Sequence, residues 1–497
     1  MTHHGIDLPL SALRTQKSSG IGEFLDLLPL IDWCEGLGLD TIQLLPLNDS
    51  GHDPGPYNAL SSCALHPIYL SLHALPGVKK LPDCKHLLST PRVAYAEVLA
   101  LKLDFLRTYI ETTGPQILKD PAFDHFLQEN PWAVSYGLFK HLKDRLGHTY
   151  WMSWPAEIKE SSEKALVKKY WDEILFHILV QFLCFTQMSK VKAHSKDKKI
   201  QIMGDIPILI STESVDAWQN PDLFDFSLAA GAPPDAYNAE GQHWGFPLFN
   251  WDEMKKQNFA WWKERLKVAS HYYDLYRIDH AVGFFRIWAI PHGKSPQEGK
   301  FIPENPALWI PQGKEILQTL LDASPMQAIA EDLGDVPPSV RTCLTGLGIP
   351  GTKVMRWERE YNDHGAYIPL EKYPRLSLTT VSTHDSETLQ QWWQNDVESA
   401  KIFAAGRGWT YSPDLTFEHR LSILQDAHHT PSLYHVNLFQ EYLALFPELV
   451  APRPEDERIN IPGKVLPTNW TYRLRPSLED IVAHDPLRKC LTKVVQK

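Results

Sequence analysis

Three short apolar runs in this chain each lead into an acidic residue. Leu275-Tyr276-Arg277-Ile278 is followed by Asp279, residues 326–330 by Glu331, and residues 378–383 by His384-Asp385. Paired carboxyl groups can break an acetal: one protonates the leaving oxygen, and the other meets the positive carbon that is left. Singly, an acidic residue that closes a strand reads as well as a helix cap or a solvated loop residue. Three in series are harder to explain that way. Two adjoin histidine (Asp279-His280 and His384-Asp385), and Arg277 precedes Asp279 by two residues on the same strand face, where it can keep that carboxylate ionised and oriented. A further run, residues 198–204, ends in Asp205, which reads equally as a site residue or as a structural partner.

Acids this far apart along the chain need a scaffold that gathers strand ends. Short apolar strands ending in charge and alternating with helical stretches predict a parallel α/β barrel, with the site at the C-terminal ends of its strands. An open doubly wound sheet is the rival, but no GxGxxG or phosphate-binding loop follows any of the runs. Near the start, Leu25, Leu28, Ile31, Trp33 and Leu37 fall at helical spacing, with Gly38 where a C-cap belongs. A short strand over 40–45 stops at Pro46, and a turn-rich loop over 48–58 carries Tyr57. Residues 95–199 change to long helical patterns. No internal repeat or low-complexity tract appears.

The chain has 497 residues and a net charge of −11, with 43% hydrophobic and 22% charged residues. That is a globular composition, and its acidity argues against a nucleic-acid partner. The 17 tryptophans fit either sugar platforms or a large aromatic core. Trp261-Trp262 and Trp392-Trp393 read as core. Six scattered cysteines without a CxxC pair read as free thiols, and residues 1–7 lack the pattern of a signal peptide. The apolar stretch 174–185, interrupted by His177 and Gln181, reads as too short to span a bilayer. A cytoplasmic protein with no membrane partner is expected. His3-His4 and His428-His429 read as solvent-exposed, and no metal cluster is expected.

Arg277-Ile278-Asp279-His280, Ala330-Glu331-Asp332-Leu333-Gly334 and Thr383-His384-Asp385 resemble three blocks of the 4-α-glucanotransferases, the amylomaltases or disproportionating enzymes of the α-amylase-like clan. The likeness runs along nearly the whole chain. It takes in Leu8-Pro9-Leu10-Ser11-Ala12-Leu13-Arg14, Gln43-Leu44-Leu45-Pro46-Leu47, Pro56-Tyr57, Gly204-Asp205-Ile206-Pro207, Gly231-Ala232-Pro233-Pro234-Asp235, Gly241-Gln242-His243-Trp244-Gly245, Arg458-Ile459-Asn460-Ile461-Pro462-Gly463 and Asn469-Trp470. In wording it is nearest the plant cytosolic type, whose starch-binding modules this chain is expected to lack. Ala281-Val282-Gly283 replaces the usual Phe-Arg-Gly.

The resemblance implies a single catalytic (β/α)8 TIM barrel of α/β class over 1–497. It implies a mainly helical insertion over about 76–199, loop insertions over about 206–265 and 291–325 around the cleft, and no separate C-terminal β domain. It implies Asp279 as nucleophile, Glu331 as acid/base and Asp385 as the acid that binds and strains the sugar. Tyr57 would stack on the sugar, His280 and His384 would donate to its hydroxyls, and Asp205 would lie near the site. Gln242 and Trp244 would sit on a glycine-rich covering loop. The expected substrates are α-1,4-glucans and maltooligosaccharides, with maltose or glucose as acceptor, and no cofactor is called for. A hydrolase of the same clan and a non-catalytic glucan-binding barrel are the alternatives. Oligomeric state is not readable.

Overall fold

The computed structural model describes residues 2–234, 239–360 and 365–495. Eight strands form one parallel sheet: β1 (His3–Leu8), β2 (Thr41–Leu44), β3 (Gln201–Ile206), β4 (Leu275–Ile278), β5 (Gln327–Ala330), β6 (Gly351–Val354), β7 (Ser377–Thr380) and β8 (Tyr434–Leu438). They pair in chain order, with β8 returning to β1. The remaining gap, between β5 and β6, is bridged where Ala330 N–H donates to Pro350 C=O at 2.8 Å and Thr352 Oγ1 donates to Ala330 C=O at 2.8 Å. The barrel expected from the sequence is therefore present. Strands covered on both faces tend towards continuous apolar runs, as in Gln327–Ala330, while Ser377–Thr380 carries small hydroxyl residues instead. Met203, Ile329, Leu378 and Val436, from β3, β5, β7 and β8, belong to one buried cluster with Leu275 and Tyr434.

The connection from β1 to β2 is the helix Leu27–Leu37, closed by Gly38 at φ 79°, the left-handed conformation that favours glycine. The connection from β2 to β3 is long and helical, including Tyr95–Ile117, Trp132–Arg145 and Trp171–Asp197. The last of these has 27 residues, longer than the apolar stretch 174–185 alone suggests. By length and composition it could cross a membrane, but 67% of its most apolar window is buried inside the protein. Its apolarity follows from packing on several sides. Gln181 and Gln187 each satisfy both backbone groups of one loop residue, Leu65 and Ser71 respectively, at 2.8–3.0 Å.

The segments after β3 and β4, expected as loops, contain a four-stranded antiparallel sheet in the order Gln242–Phe249, Phe224–Ala232, Ile287–Pro291, Lys300–Ile302. Proline and glycine at 231, 245 and 247 break the alternation that marks a strand, so only the pairing reveals it. The six cysteines are free thiols. Trp262 and Trp393 are buried in the core. His428, expected at the surface, is buried beneath the barrel with His4 and His435 stacked on one another at 4.9 Å beside it.

Candidate active site

The barrel register sets the site. Asp205 on β3 pairs across the sheet with Arg277 on β4, and strand alternation then puts Asp279 on the same face as Arg277. Arg277 Nη1 donates to both carboxylate oxygens of Asp205, at 3.0 and 2.8 Å, and to Oδ1 of Asp279 at 3.0 Å. Its Nη2 lies 4.0 Å from Oε2 of Glu331, just past the end of β5. One guanidinium thus spans acids from three strand ends. Asp205 is fully buried, whereas the side chain of Asp279 is 25% exposed and that of Asp385 44% exposed, so the acids rise from the barrel floor to its mouth.

Glu331 is aimed by the backbone. His280 N–H donates to its Oε2 at 2.8 Å and Leu333 N–H to its Oε1 at 2.9 Å. The first of these bonds is made with His280 held at φ 46°, a left-handed conformation that costs a non-glycine residue about 1 kcal/mol or more and is found at functional sites. Burial pushes the Glu331 carboxyl up to about 7; Arg277 opposes this and Asp279 adds to it. Burial also takes the His280 imidazole down to about 4, so it is neutral.

Around Asp385 the balance is reversed. Burial works to raise its carboxyl, but the His384 charge and hydrogen bond outweigh it, with Asn460, and hold it at about 2. His384 Nε2 lies 3.3 Å from Asp385 Oδ2, and Asn460 Nδ2 donates to Oδ1 at 2.6 Å. His384 is correspondingly held above the ordinary histidine range: burial works against its charge, and Asp385 overrides it. Tyr57 joins this group to the floor. Its hydroxyl donates to Asp205 Oδ2 at 2.7 Å and lies 2.9 Å from His384 Nε2, with the two rings stacked at 5.5 Å. Trp470 packs on both rings, at 5.5 and 5.9 Å.

Gln242 and Trp244 reach the site from the antiparallel sheet. They lie on a strand rather than on the loop expected, because Gln242–Phe249 pairs with Phe224–Ala232. Trp244 meets the His280 ring edge-on at 4.9 Å and donates from Nε1 to Gln242 Oε1 at 3.0 Å. All ten residues singled out in the sequence therefore lie in one connected group. Asp235, quoted in the resemblance, lies outside the described residues. Asn460, Trp470 and Asp7 are additions. Asn460 and Trp470 stood in quoted motifs without a role. Asp7 had one signal only, a lone acid inside the apolar strand β1. It lines the same space as Gln43, Arg277, Glu331 and His384. Among the described residues no cluster of three or more His, Cys, Asp or Glu could hold a metal ion.

A family described as 4-alpha-glucanotransferase matches residues 8–479. The chain belongs to this family. A 4-alpha-glucanotransferase of Chlamydia pneumoniae is 45% identical over 99% of this chain and 95% of its own length. A rice 4-alpha-glucanotransferase (Oryza sativa subsp. japonica) is 38% identical over 60% of this chain and 34% of its own length. Among solved structures, the amylomaltase of Streptococcus agalactiae, in complex with acarbose, superposes with a TM-score of 0.81 at 24% identity, covering 100% of this chain and 99% of that one. That likeness shows the glucanotransferase fold, and the family membership places the chain among glycosyl-transferring enzymes.

Proposed function

We propose that this 4-alpha-glucanotransferase cleaves an α-1,4-glucan or maltooligosaccharide by double displacement on Asp279. In the first half, an oxygen of Asp279 attacks the anomeric carbon while Glu331 gives its proton to the departing glycosidic oxygen, which leaves as the 4-hydroxyl of the released sugar. In the second half, the 4-hydroxyl of an acceptor glucan, maltose or glucose attacks the same carbon. Glu331 takes the acceptor's proton and Asp279 is released as carboxylate. Asp385, His384 and Tyr57 hold the sugar hydroxyls and ring at the cleavage position. Arg277 orients Asp279 by donating to its Oδ1. The observation that carries this reading is the unlike setting of two neighbouring acids: Glu331 is lifted to about 7 by burial, so it can hold a proton at neutral pH, while Asp279 accepts a hydrogen bond from Arg277.

Transfer rather than hydrolysis requires that water be kept off the intermediate, which the Trp244 and His280 wall over the site favours. The free thiols suit a reducing compartment such as the cytoplasm. Incubation with maltotriose tests the reading. Transfer produces a ladder of longer and shorter chains plus glucose without new reducing ends. A steady rise in reducing ends indicates a hydrolase instead, and no change in the sugar at all indicates a binding protein.

A further inference from the structure

Asp7 is a carboxyl the fold has little reason to keep. It lies on β1 one residue before the strand ends, with β2 and β8 on either side. It is 7% exposed, and its Oδ1 is buried with no hydrogen-bond partner. The space it faces is lined by the apolar residues Met203, Ile329, Leu378 and Val436 and by the polar Arg277, Glu331 and His384. A buried polar atom left unpaired costs stability, so a well-packed leucine or an amide would serve the barrel better. Such a group at a site is a candidate for function rather than for folding.

The charges that face Asp7 come from several elements. His384, on the connection after β7, acts on it most strongly, followed by Asp205 on β3 and Arg277 on β4. Glu331 stands across the space at the end of β5. Its neighbours in register on β2 and β8 are Gln43 and Leu438, neither of which titrates. His384 in turn is faced by Asp385, Arg277, Asp7 and the Tyr57 hydroxyl. We propose that Asp7 is a positioning residue that acts through His384: its charge beneath the sugar site helps keep the imidazole cationic, so that both ring nitrogens remain hydrogen-bond donors while substrate binds. This rests on the assignment of the site above. Burial lifts the Asp7 carboxyl to about 7, so its influence on His384 sets in near neutral pH and strengthens on the alkaline side.

The test is Asp7→Asn, an isosteric neutral replacement, followed by two measurements on the free protein and one on turnover. By NMR, the His384 ring signal, assigned by its loss in His384→Gln, should titrate at lower pH in Asp7→Asn than in the unmutated chain. The unmutated chain's own His384 curve should show a second inflection where Asp7 ionises. The melting temperature of Asp7→Asn relative to the unmutated chain should rise from pH 5 to pH 8. The reason is that a carboxyl raised on folding gives stability at low pH that is lost as pH climbs towards its folded value. In turnover, kcat/KM at pH 8 should fall by about three- to tenfold while the value at pH 6 changes little. An unshifted His384 titration with a single inflection in the unmutated chain overturns the proposal. So does a lower melting temperature for Asp7→Asn at every pH, which marks a structural carboxyl. Neither free-protein measurement depends on which acid is the nucleophile, whereas an active Asp279→Asn would strike the assignment of the site and leave these readings standing.

Discussion

Arg277 Nη1 stands 3.0 Å from Oδ1 of Asp279, donated from two residues back on the same strand. The period-two alternation of a β-strand makes this contact unavoidable once both residues face the barrel mouth. The same nitrogen also holds Asp205, so one cation binds two acids.

Replacing Arg277 therefore has two separable consequences. Arg277→Met leaves two carboxylates without their cation and should cost about 3–5 kcal/mol of stability, seen as a large drop in melting temperature at pH 7. Arg277→Lys keeps the charge but loses the planar fork, so it should fold with a smaller loss and lower kcat by about a hundredfold.

Glu331 must hold a proton to start the reaction, so kcat/KM for a glucan donor should fall as pH rises through about 7, its shifted value. Glu331→Gln should lower kcat with maltotriose by about 10²- to 10⁴-fold. With an α-glucosyl fluoride donor, whose leaving group needs no proton, the alkaline fall in the cleavage step should disappear.

Trp244 covers His280 from the antiparallel sheet. Trp244→Ala opens that wall to water. The ratio of new reducing ends to transfer products from maltotriose should rise several-fold, with KM for the donor also raised. An unchanged ratio would remove Trp244 from the account of water exclusion.

Under the barrel, His4 stacks on His428 and His435 at 5.0 and 4.9 Å. Burial pushes His428 well below the usual histidine range and His435 to about 4. Both are lowered on folding, so the unfolded chain takes up protons first as pH falls. The neutral cluster gives its full stability above about pH 6.5 and loses it as pH drops towards 4. Urea unfolding at pH 7 and pH 5 checks this: His435→Gln should show a flatter pH dependence than the unmutated chain.

The sequence and the structure agree where one residue type at one spacing carries the meaning. Short, mainly apolar runs closed by Asp279, Glu331 and His384-Asp385 could be read directly, because an acid at the end of a strand covered on both faces interrupts that run. Three features were not legible. The antiparallel sheet was hidden by Gly231, Gly245 and Pro247, which erase alternation. The buried histidines meet only through contacts spanning most of the chain, as when His4 Nδ1 lies 2.8 Å from His428 Nδ1. Asp7 faces His384 for the same reason: closing the barrel brings the first strand beside the seventh connection, and no local pattern announces it.

The central claim is that Asp279 forms the covalent link while Glu331 manages the proton. Incubating Glu331→Gln with α-maltosyl fluoride, then digesting and weighing the peptides, tests it directly. The account predicts a maltosyl-sized mass gain on the peptide containing Asp279, absent when Asp279→Asn is added. A label on another residue, or prompt turnover with no adduct in the double variant, would contradict it.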